Sequence, residues 1–189
     1  MAHSNNSVVT GKFRGSLGKE IVFKDWDGKT IVAKSPKRRT GSASLLQEQT
    51  KEKFLLASRY AKGVLTNTDQ SLAEAYALAV RPRQNVYSRA LEDCISPPKV
   101  RSMDLRNYNG VVNDKIVVRA LDDFRVTKVI IEIFNSNGTL LESGEATQLF
   151  NVLDWSYTTT TVNNTLPGTK IKATAFDTPN NEGVLETTL

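Results

Sequence analysis

The stretch T-K-V-I-I-E-I-F-N-S-N-G-T-L-L-E-S-G, residues 127–144, decides the fold of the C-terminal half of this chain. Val129, Ile131 and Ile133 occupy alternate positions, which is the pattern of a β-strand with one buried and one solvated face. Residues 135–138, N-S-N-G, have the chemistry of a tight turn, because Asn and Gly tolerate turn backbone angles. The stretch therefore predicts two strands joined by a turn.

The same alternation recurs around this stretch, at residues 116–120 and 171–175. Seven strands are predicted in the C-terminal half, at residues 100–105, 115–120, 127–134, 140–144, 155–160, 170–176 and 184–188. Seven short strands separated by turn signals are typical of an immunoglobulin-like β-sandwich. Because the predicted strands contain no cysteine, the predicted sandwich is of the kind without a disulfide.

The N-terminal half begins with a predicted β-hairpin. Residues 20–24 and 29–34 are rich in β-forming side chains and flank Asp27 and Gly28, a pair that favours a tight hairpin turn. Residues 8–13 are a candidate third strand. Strands this short are only marginally stable without something to pack on, so the hairpin is expected to need a partner surface.

A basic linker and three helices follow the hairpin. Residues 34–41 combine proline, glycine and clustered positive charge, which predicts a linker or an arm. Apolar side chains then recur at helical spacing in residues 44–65, 69–80 and 83–95, which predicts a compact helical unit. The predicted fold class is therefore α+β, with a hairpin and helical unit followed by an all-β sandwich.

A domain boundary is predicted at Pro97 and Pro98, because proline ends a helix and the apolar period changes there from helical to strand-like. The predicted domains are residues 1–98 and 99–189. Charge also divides the chain at this point, since residues 1–98 carry 16 basic and 9 acidic side chains and residues 99–189 carry 9 and 11. The N-terminal domain therefore carries the excess positive charge.

Most of that charge lies in residues 11–40, which hold nine basic and three acidic side chains in a chain of net charge +5. A stretch that is strongly basic and poor in apolar residues is expected to meet a partner. The candidate partner-binding residues are Lys37, Arg38, Arg39, Lys12, Arg14 and Trp26.

Three interpretations of this basic stretch remain open. In the first, it is a solvated face on which Lys24, Lys29 and Lys34 prevent strands of different molecules from pairing. In the second, its cations bind nucleic acid through the phosphate backbone while Trp26 or Phe23 stacks on bases. In the third, which we favour, it docks onto protein subunits of an oligomeric assembly.

Catalytic chemistry is not predicted. The one histidine, His3, lies in a polar N-terminal stretch, and the one cysteine, Cys94, lies on the predicted buried face of a helix. A Ser-His-Asp arrangement, a Cys-His pair or a zinc site is therefore not expected, and neither an enzyme activity nor a cofactor is predicted. Asp122, Asp123 and Asp177 are weak calcium candidates at one pole of the predicted sandwich, although aspartate is also common in turns.

The sequence predicts no association with membranes. No apolar run approaches the roughly 18 residues that span a bilayer, and residues 1–7 lack the features of an export signal. Synthesis in the cytoplasm is expected.

Two parts of the chain resemble known protein families. The later segments resemble bacterial Ig-like repeats, and they are residues 120–133, 137–146 and 173–177. The earlier segments resemble small uncharacterised proteins of Bacteroidota bacteria and their phages, and they are residues 15–23, 28–30 and 47–49 with Phe54. The resemblance implies no function and no catalytic residue, because neither set of motifs is specific for an activity. With the docking interpretation, the chain is expected to be a non-enzymatic structural or interaction protein incorporated into a virion or a phage-tail-like particle. Its Ig-like domain is expected, by analogy of fold, to act as a spacer or an adhesive module.

Overall fold

The computed structural model describes residues 2–4, 13–26, 28–37 and 41–189 of the chain. These residues form three helices and three antiparallel sheets, which confirms the predicted α+β class. The chain divides into two compact units, Met1–Ser44 and Leu45–Leu189. The predicted boundary at Pro97 and Pro98 falls inside the second unit.

The first unit contains one four-stranded sheet in the order β1-β4-β3-β2. Its strands are β1 (Ala2–Ser4), β2 (Gly15–Leu17), β3 (Ile21–Trp26) and β4 (Lys29–Lys34). β3 and β4 form the predicted hairpin, and Gly28 between them has a φ of +73°, which glycine adopts at little cost because it has no Cβ. Asp27 and most of the candidate strand at residues 8–13 lie outside the described residues, and Phe13 is not in a strand.

The second unit begins with the three predicted helices, α1 (Leu45–Thr66), α2 (Ser71–Leu78) and α3 (Val86–Ile95). α3 starts with a capping box, in which the Asn85 side chain accepts the Ser88 N–H at 2.8 Å and the Ser88 hydroxyl accepts the Asn85 N–H at 2.9 Å. The helices meet through mostly small buried side chains. These are Ala57, Ala61, Val64, Ala73, Tyr76 and Ala90.

α1 is much longer than the two helices that pack against it. Its buried residues Ala57, Ala61 and Val64 lie in its C-terminal half and share one face, as their spacing requires. Residues 45–56 are all exposed, including Leu46 and other large apolar side chains. The N-terminal half of α1 therefore lacks tertiary cover from the described residues.

Eight strands follow the helices and form two sheets, in the orders β5-β6-β10-β9 and β12-β11-β7-β8. The strands are β5 (Lys99–Asp104), β6 (Lys115–Leu121), β7 (Val126–Phe134), β8 (Leu140–Glu145), β9 (Thr147–Gln148), β10 (Asp154–Thr158), β11 (Lys170–Asp177) and β12 (Glu182–Thr188). Each of the seven predicted strands has a counterpart here. β9 was not predicted, because a two-residue strand is too short to show an alternating pattern.

The inward side chains of both sheets belong to one hydrophobic cluster. Its members from the strands are Ile116, Val118, Ala120, Val129, Ile131, Ile133, Trp155, Tyr157, Ile171, Ala173 and Ala175. Fully burying one aliphatic or aromatic side chain contributes about 1.5–3 kcal/mol. This cluster is therefore a main source of the stability of the second unit.

Replacing Gly183 of β12 by alanine is expected to lower the free energy of unfolding by about 1–3 kcal/mol, as overpacking does. A Cβ at this position would approach the carbonyl carbon of Pro98 to 2.7 Å, and backbone cannot move aside easily. Gly63→Ala is the control, since a Cβ there meets nothing within 4 Å and alanine favours the helix. Urea unfolding followed by circular dichroism measures both, and equal stability of the two variants would contradict the packing argument.

Candidate interaction surface

The N-terminal sheet exposes apolar side chains on both of its faces. Directly opposed residues share a face, so the pairs Phe23 with Val32 and Leu17 with Ile21 belong to one face, whereas Trp26 lies on the other. Leu17 and Trp26 are each more than 60% exposed. Among residues 13–26, 28–37 and 41–44, Thr30 alone is buried. A sheet of this size without a hydrophobic core is expected to need cover from another surface.

A basic cleft lies at the end of this sheet. It has a volume of about 620 Å³, and the residues that matter for its chemistry are Lys19, Lys34, Lys37, Glu20, Ile21 and Val32. Its lining therefore combines three lysines and one glutamate with apolar side chains. The Ser35 N–H donates to the Glu20 carbonyl at 2.7 Å, which continues the β3–β4 pairing to the edge of the cleft. The cleft can therefore accept a segment that is both acidic and apolar.

The structure describes three of the six predicted partner-binding residues. Lys37 lines the basic cleft, and Trp26 is exposed at the end of β3 opposite Lys29. Arg14 lies away from the cleft and pairs with Asp25 at 2.7 Å, an exposed ion pair worth no more than about 1 kcal/mol. The other three, which are Lys12, Arg38 and Arg39, lie outside the described residues.

Lys19 was not among the predicted partner-binding residues, and Lys34 was predicted to be a strand lysine that prevents pairing between molecules. Both positions follow from the hairpin register, which places Lys34 opposite Ile21 beside the turn that contains Lys19. A correctly counted register would have been sufficient to place Lys34 beside Lys19. Lys19 has a φ of +59°, which is unusual for a residue with a Cβ.

Lys24, Lys29 and Lys34 have a common position in the sheet. β1 pairs with residues 30–32 of β4, and β2 pairs with residues 21–23 of β3. The three strand lysines lie just beyond these paired segments, so within the described part of the sheet each has a strand neighbour on one side only. That position fits the predicted role of discouraging edge pairing between molecules.

Two of the calcium candidates, Asp122 and Asp177, make contacts that stabilise turns, and the third, Asp123, lies 3.6 Å from the Arg81 guanidinium. One oxygen of Asp122 accepts the N–H groups of Phe124 and Arg125, both at 3.0 Å. The buried Asp177 accepts the backbone N–H of Asn181 at 2.6 Å and its side-chain amide at 2.7 Å, and burial raises the pKa of this carboxyl. Within residues 13–26, 28–37 and 41–189, no cluster of three or more His, Cys, Asp or Glu side chains is placed to hold a metal ion.

A buried polar network, which sequence analysis missed, joins the helices of the second unit to its sheets. The Tyr76 hydroxyl donates to Asp93 Oδ2 at 2.6 Å, and the ring of Phe124 stacks on Tyr76 with centroids 4.4 Å apart. Asp93 is completely buried, which raises the pKa of its carboxyl to about 7. Asn181 also donates its side-chain amide to the Cys94 carbonyl at 3.2 Å.

Arg89 is the cation of this network and is 2% exposed. It donates to Glu92 Oε2 at 3.2 Å and to the Asp123 carbonyl, and its guanidinium lies 5.7 Å from the centre of the Phe124 ring. The available sequence signal was an arginine and an aspartate four residues apart, at positions that share one face of the predicted helix. The network is a structural joint in which Tyr76, Asp93, Arg89 and Glu92 are hydrogen-bonded, although the buried Arg89 Nε and Asp93 Oδ1 have no hydrogen-bond partner among the described residues.

No family model, no curated protein and no solved structure matches this chain. None of the described helices is long and apolar enough to cross a membrane. By its fold, this chain is an α+β protein with two antiparallel sheets in the second unit and one basic sheet in the first unit.

Proposed function

We propose that this chain is a non-enzymatic structural protein that docks through its basic N-terminal region onto protein subunits of a large assembly. The observation that carries the proposal is the N-terminal sheet, with exposed apolar side chains on both faces and the basic cleft at its end. A protein partner can supply the missing apolar cover and acidic side chains together. Nucleic acid supplies phosphates but less apolar surface.

The two-sheet region is proposed to be an immunoglobulin-like sandwich that acts as a spacer or an adhesive module. Its strand orders, β5-β6-β10-β9 and β12-β11-β7-β8, correspond to the A-B-E-D and G-F-C arrangement of that fold, with β8 added beside the C strand. Such modules support many functions, so the role rests on analogy of fold. A phage or phage-tail-like particle is the proposed assembly, on the resemblance of the N-terminal segments.

The second candidate is a sequence-non-specific nucleic-acid-binding protein. It is favoured by the exposed Trp26 together with the three lysines of the basic cleft. Such binding would follow the phosphate backbone and weaken steeply with salt, because each neutralised phosphate releases counterions.

Size-exclusion chromatography with light scattering, at low and high salt and with and without a single-stranded DNA, separates the two candidates. Oligomers that persist at high salt and ignore the DNA are expected for the assembly protein. A monomer that co-elutes with DNA at low salt and releases it by about 200 mM salt would contradict the assembly proposal and support the second candidate.

Acidic peptides test the chemistry of the basic cleft. A labelled peptide of alternating Glu and Val is expected to bind more tightly than an all-Glu peptide of equal charge, because the cleft floor is partly apolar. The variant Lys19→Glu/Lys34→Glu/Lys37→Glu is expected to bind the peptide at least tenfold more weakly, roughly the effect of losing about 1.4 kcal/mol.

The matched control is Lys51→Glu/Lys53→Glu/Lys62→Glu, which makes the same change of charge on exposed positions of α1. It is expected to bind the peptide as the unaltered chain does, because it leaves the cleft intact. Equal losses in both variants would mean that net charge alone attracts the peptide, and that the cleft is not the docking site.

A further inference from the structure

The turn between β9 and β10 displays an apolar tip, residues 149–153 (L-F-N-V-L). Phe150 is fully exposed, and the exposed fractions of Leu149, Val152 and Leu153 lie between 40% and 64%. Large apolar side chains gathered at one exposed point commonly mark an interaction site. This tip belongs to the second unit and shares no residue with the basic cleft.

Hydrogen bonds hold the apolar tip in a fixed shape. The Leu149 N–H donates to the Asp154 carbonyl at 2.8 Å, and the Val152 N–H donates to the Leu149 carbonyl at 2.9 Å. The Asn151 side chain accepts the Asp154 N–H at 3.0 Å, and the Gln148 amide donates to the Val152 carbonyl at 2.9 Å. The tip therefore presents Phe150 without the need to order a loop on binding.

Val152 holds an unfavourable backbone conformation, with a φ of +66°. This left-handed region is costly for a β-branched residue, and Gly or Asn is far commoner there. A valine in this position adds apolar surface to the tip despite its conformational cost. An apolar side chain at such an unfavourable position is consistent with a tip that makes a contact.

A concave apolar pocket lies on the N-terminal sheet. It has a volume of about 200 Å³ and is lined by Phe13, Leu17 and Phe23, with Arg14 at its side. The rings of Phe13 and Phe23 lie 5.6 Å apart. An apolar cavity of about 150 Å³ is large enough to bind benzene, so this pocket can hold the phenyl ring of a phenylalanine.

The charges beside the tip and the pocket are already paired. Arg14 pairs with Asp25 at 2.7 Å beside the pocket, and Arg119 pairs with Asp154 at 2.7 Å at the base of the tip. Local charge therefore does not oppose contact between two copies, although each chain is basic. A tip that enters an anionic membrane is usually surrounded by free Lys or Arg, whereas the cation at this base is paired.

We propose that the apolar tip of one copy inserts Phe150 into the aromatic pocket of a second copy. The two surfaces differ, so the contact is head-to-tail and produces rings or filaments. The insertion of one tip buries less than the roughly 800 Å² per partner of a standard interface, so association depends on concentration. The inference does not rest on the proposed function, because no cleft lysine lines the pocket.

Sedimentation of the full chain over a concentration series tests this contact. Phe150→Ser removes the tip, Leu17→Ser opens the pocket, and each is expected to weaken self-association at least about tenfold, as loss of a central anchor does. An equimolar mixture of the two variants retains one intact contact, so it is expected to form dimers and nothing longer. Leu78→Ser, at another highly exposed apolar position, is expected to associate as the unaltered chain does.

Three results would overturn the proposal: a chain that stays monomeric throughout the series, variants that associate normally, or a mixture without dimers.

Val152→Gly keeps the tip foldable, so its weaker association together with retained stability would support the contact. Vesicles of phosphatidylglycerol test whether the tip binds a membrane instead. If Phe150→Ser abolishes binding to these vesicles but leaves self-association unchanged, the tip is a membrane-binding site. If the tip makes no contact between copies but the basic cleft still binds the acidic peptide, the proposed function stands without this inference.

Discussion

Arg89→Ala is expected to lower the free energy of unfolding of the second unit by about 3–5 kcal/mol, the usual cost of removing one partner from a buried charged network. The guanidinium is 2% exposed and bonds to Glu92 and to the Asp123 carbonyl. Its removal leaves that carbonyl without this donor and leaves a cavity against Phe124. It also removes a positive charge that favours the ionised form of Asp93.

Arg81→Ala is the matched control, because Arg81 contacts the same two residues from the surface. Its guanidinium lies 3.1 Å from Glu92 Oε1 and 3.6 Å from Asp123 Oδ1, but its side chain is 52% exposed. Its loss is expected to cost no more than about 1 kcal/mol. Urea unfolding followed by circular dichroism measures both variants, and similar costs would mean that the buried network contributes little.

Asp93→Asn is expected to remove a large part of the pH dependence of stability between pH 4 and 7. In the folded chain burial raises the pKa of Asp93 to about 7, whereas an unfolded aspartate titrates near 3.8. As the pH rises between these values, the unfolded state releases a proton that the folded state keeps. Stability then falls by about 1.4 kcal/mol per pH unit, and the loss is complete above pH 7.

Asparagine keeps an acceptor for the Tyr76 hydroxyl but cannot ionise. The stability of the variant relative to the unaltered chain is therefore expected to increase as the pH rises. Asp154→Asn is the control, because the hydrogen bond from Arg119 lowers the pKa of Asp154 and its ionised form stabilises the fold. Its loss of stability is expected to be constant between pH 5 and 8. An unchanged slope in Asp93→Asn, from unfolding curves at pH 5, 6, 7 and 8, would show that Asp93 does not carry this dependence.

Local patterns were sufficient to predict most of the secondary structure. Apolar residues alternate with polar ones in β6, β7 and β11, which indicates that one face of each strand is buried. A short stretch of sequence shows this pattern because every second side chain of a strand lies on the same face. The joint between helices and sheets was not predictable in this way. Asn181 meets the carbonyl of Cys94 across 87 positions of sequence, and no local pattern records such a pairing.

The candidate interaction surfaces were partly predictable. Lys37 was identified from its charge, but its grouping with Lys19 and Lys34 depends on the register of the hairpin and on the turn beside it. The apolar tip carried a misleading signal, because the apolar residues among 149–153 suggest burial. Exposure of Phe150 follows from the tight turn between β9 and β10, which keeps the tip out of the hydrophobic cluster.

The uncovered N-terminal half of α1 has a mechanical consequence. A helical segment of twelve residues is marginal in water unless something packs on it, so residues 45–56 depend on the covered half for their helical form. They are also the first residues of the second unit after the basic N-terminal sheet. If that sheet is anchored in an assembly, a pull on the two-sheet region unwinds this segment first. It would extend as a compliant tether while the sheets stay folded.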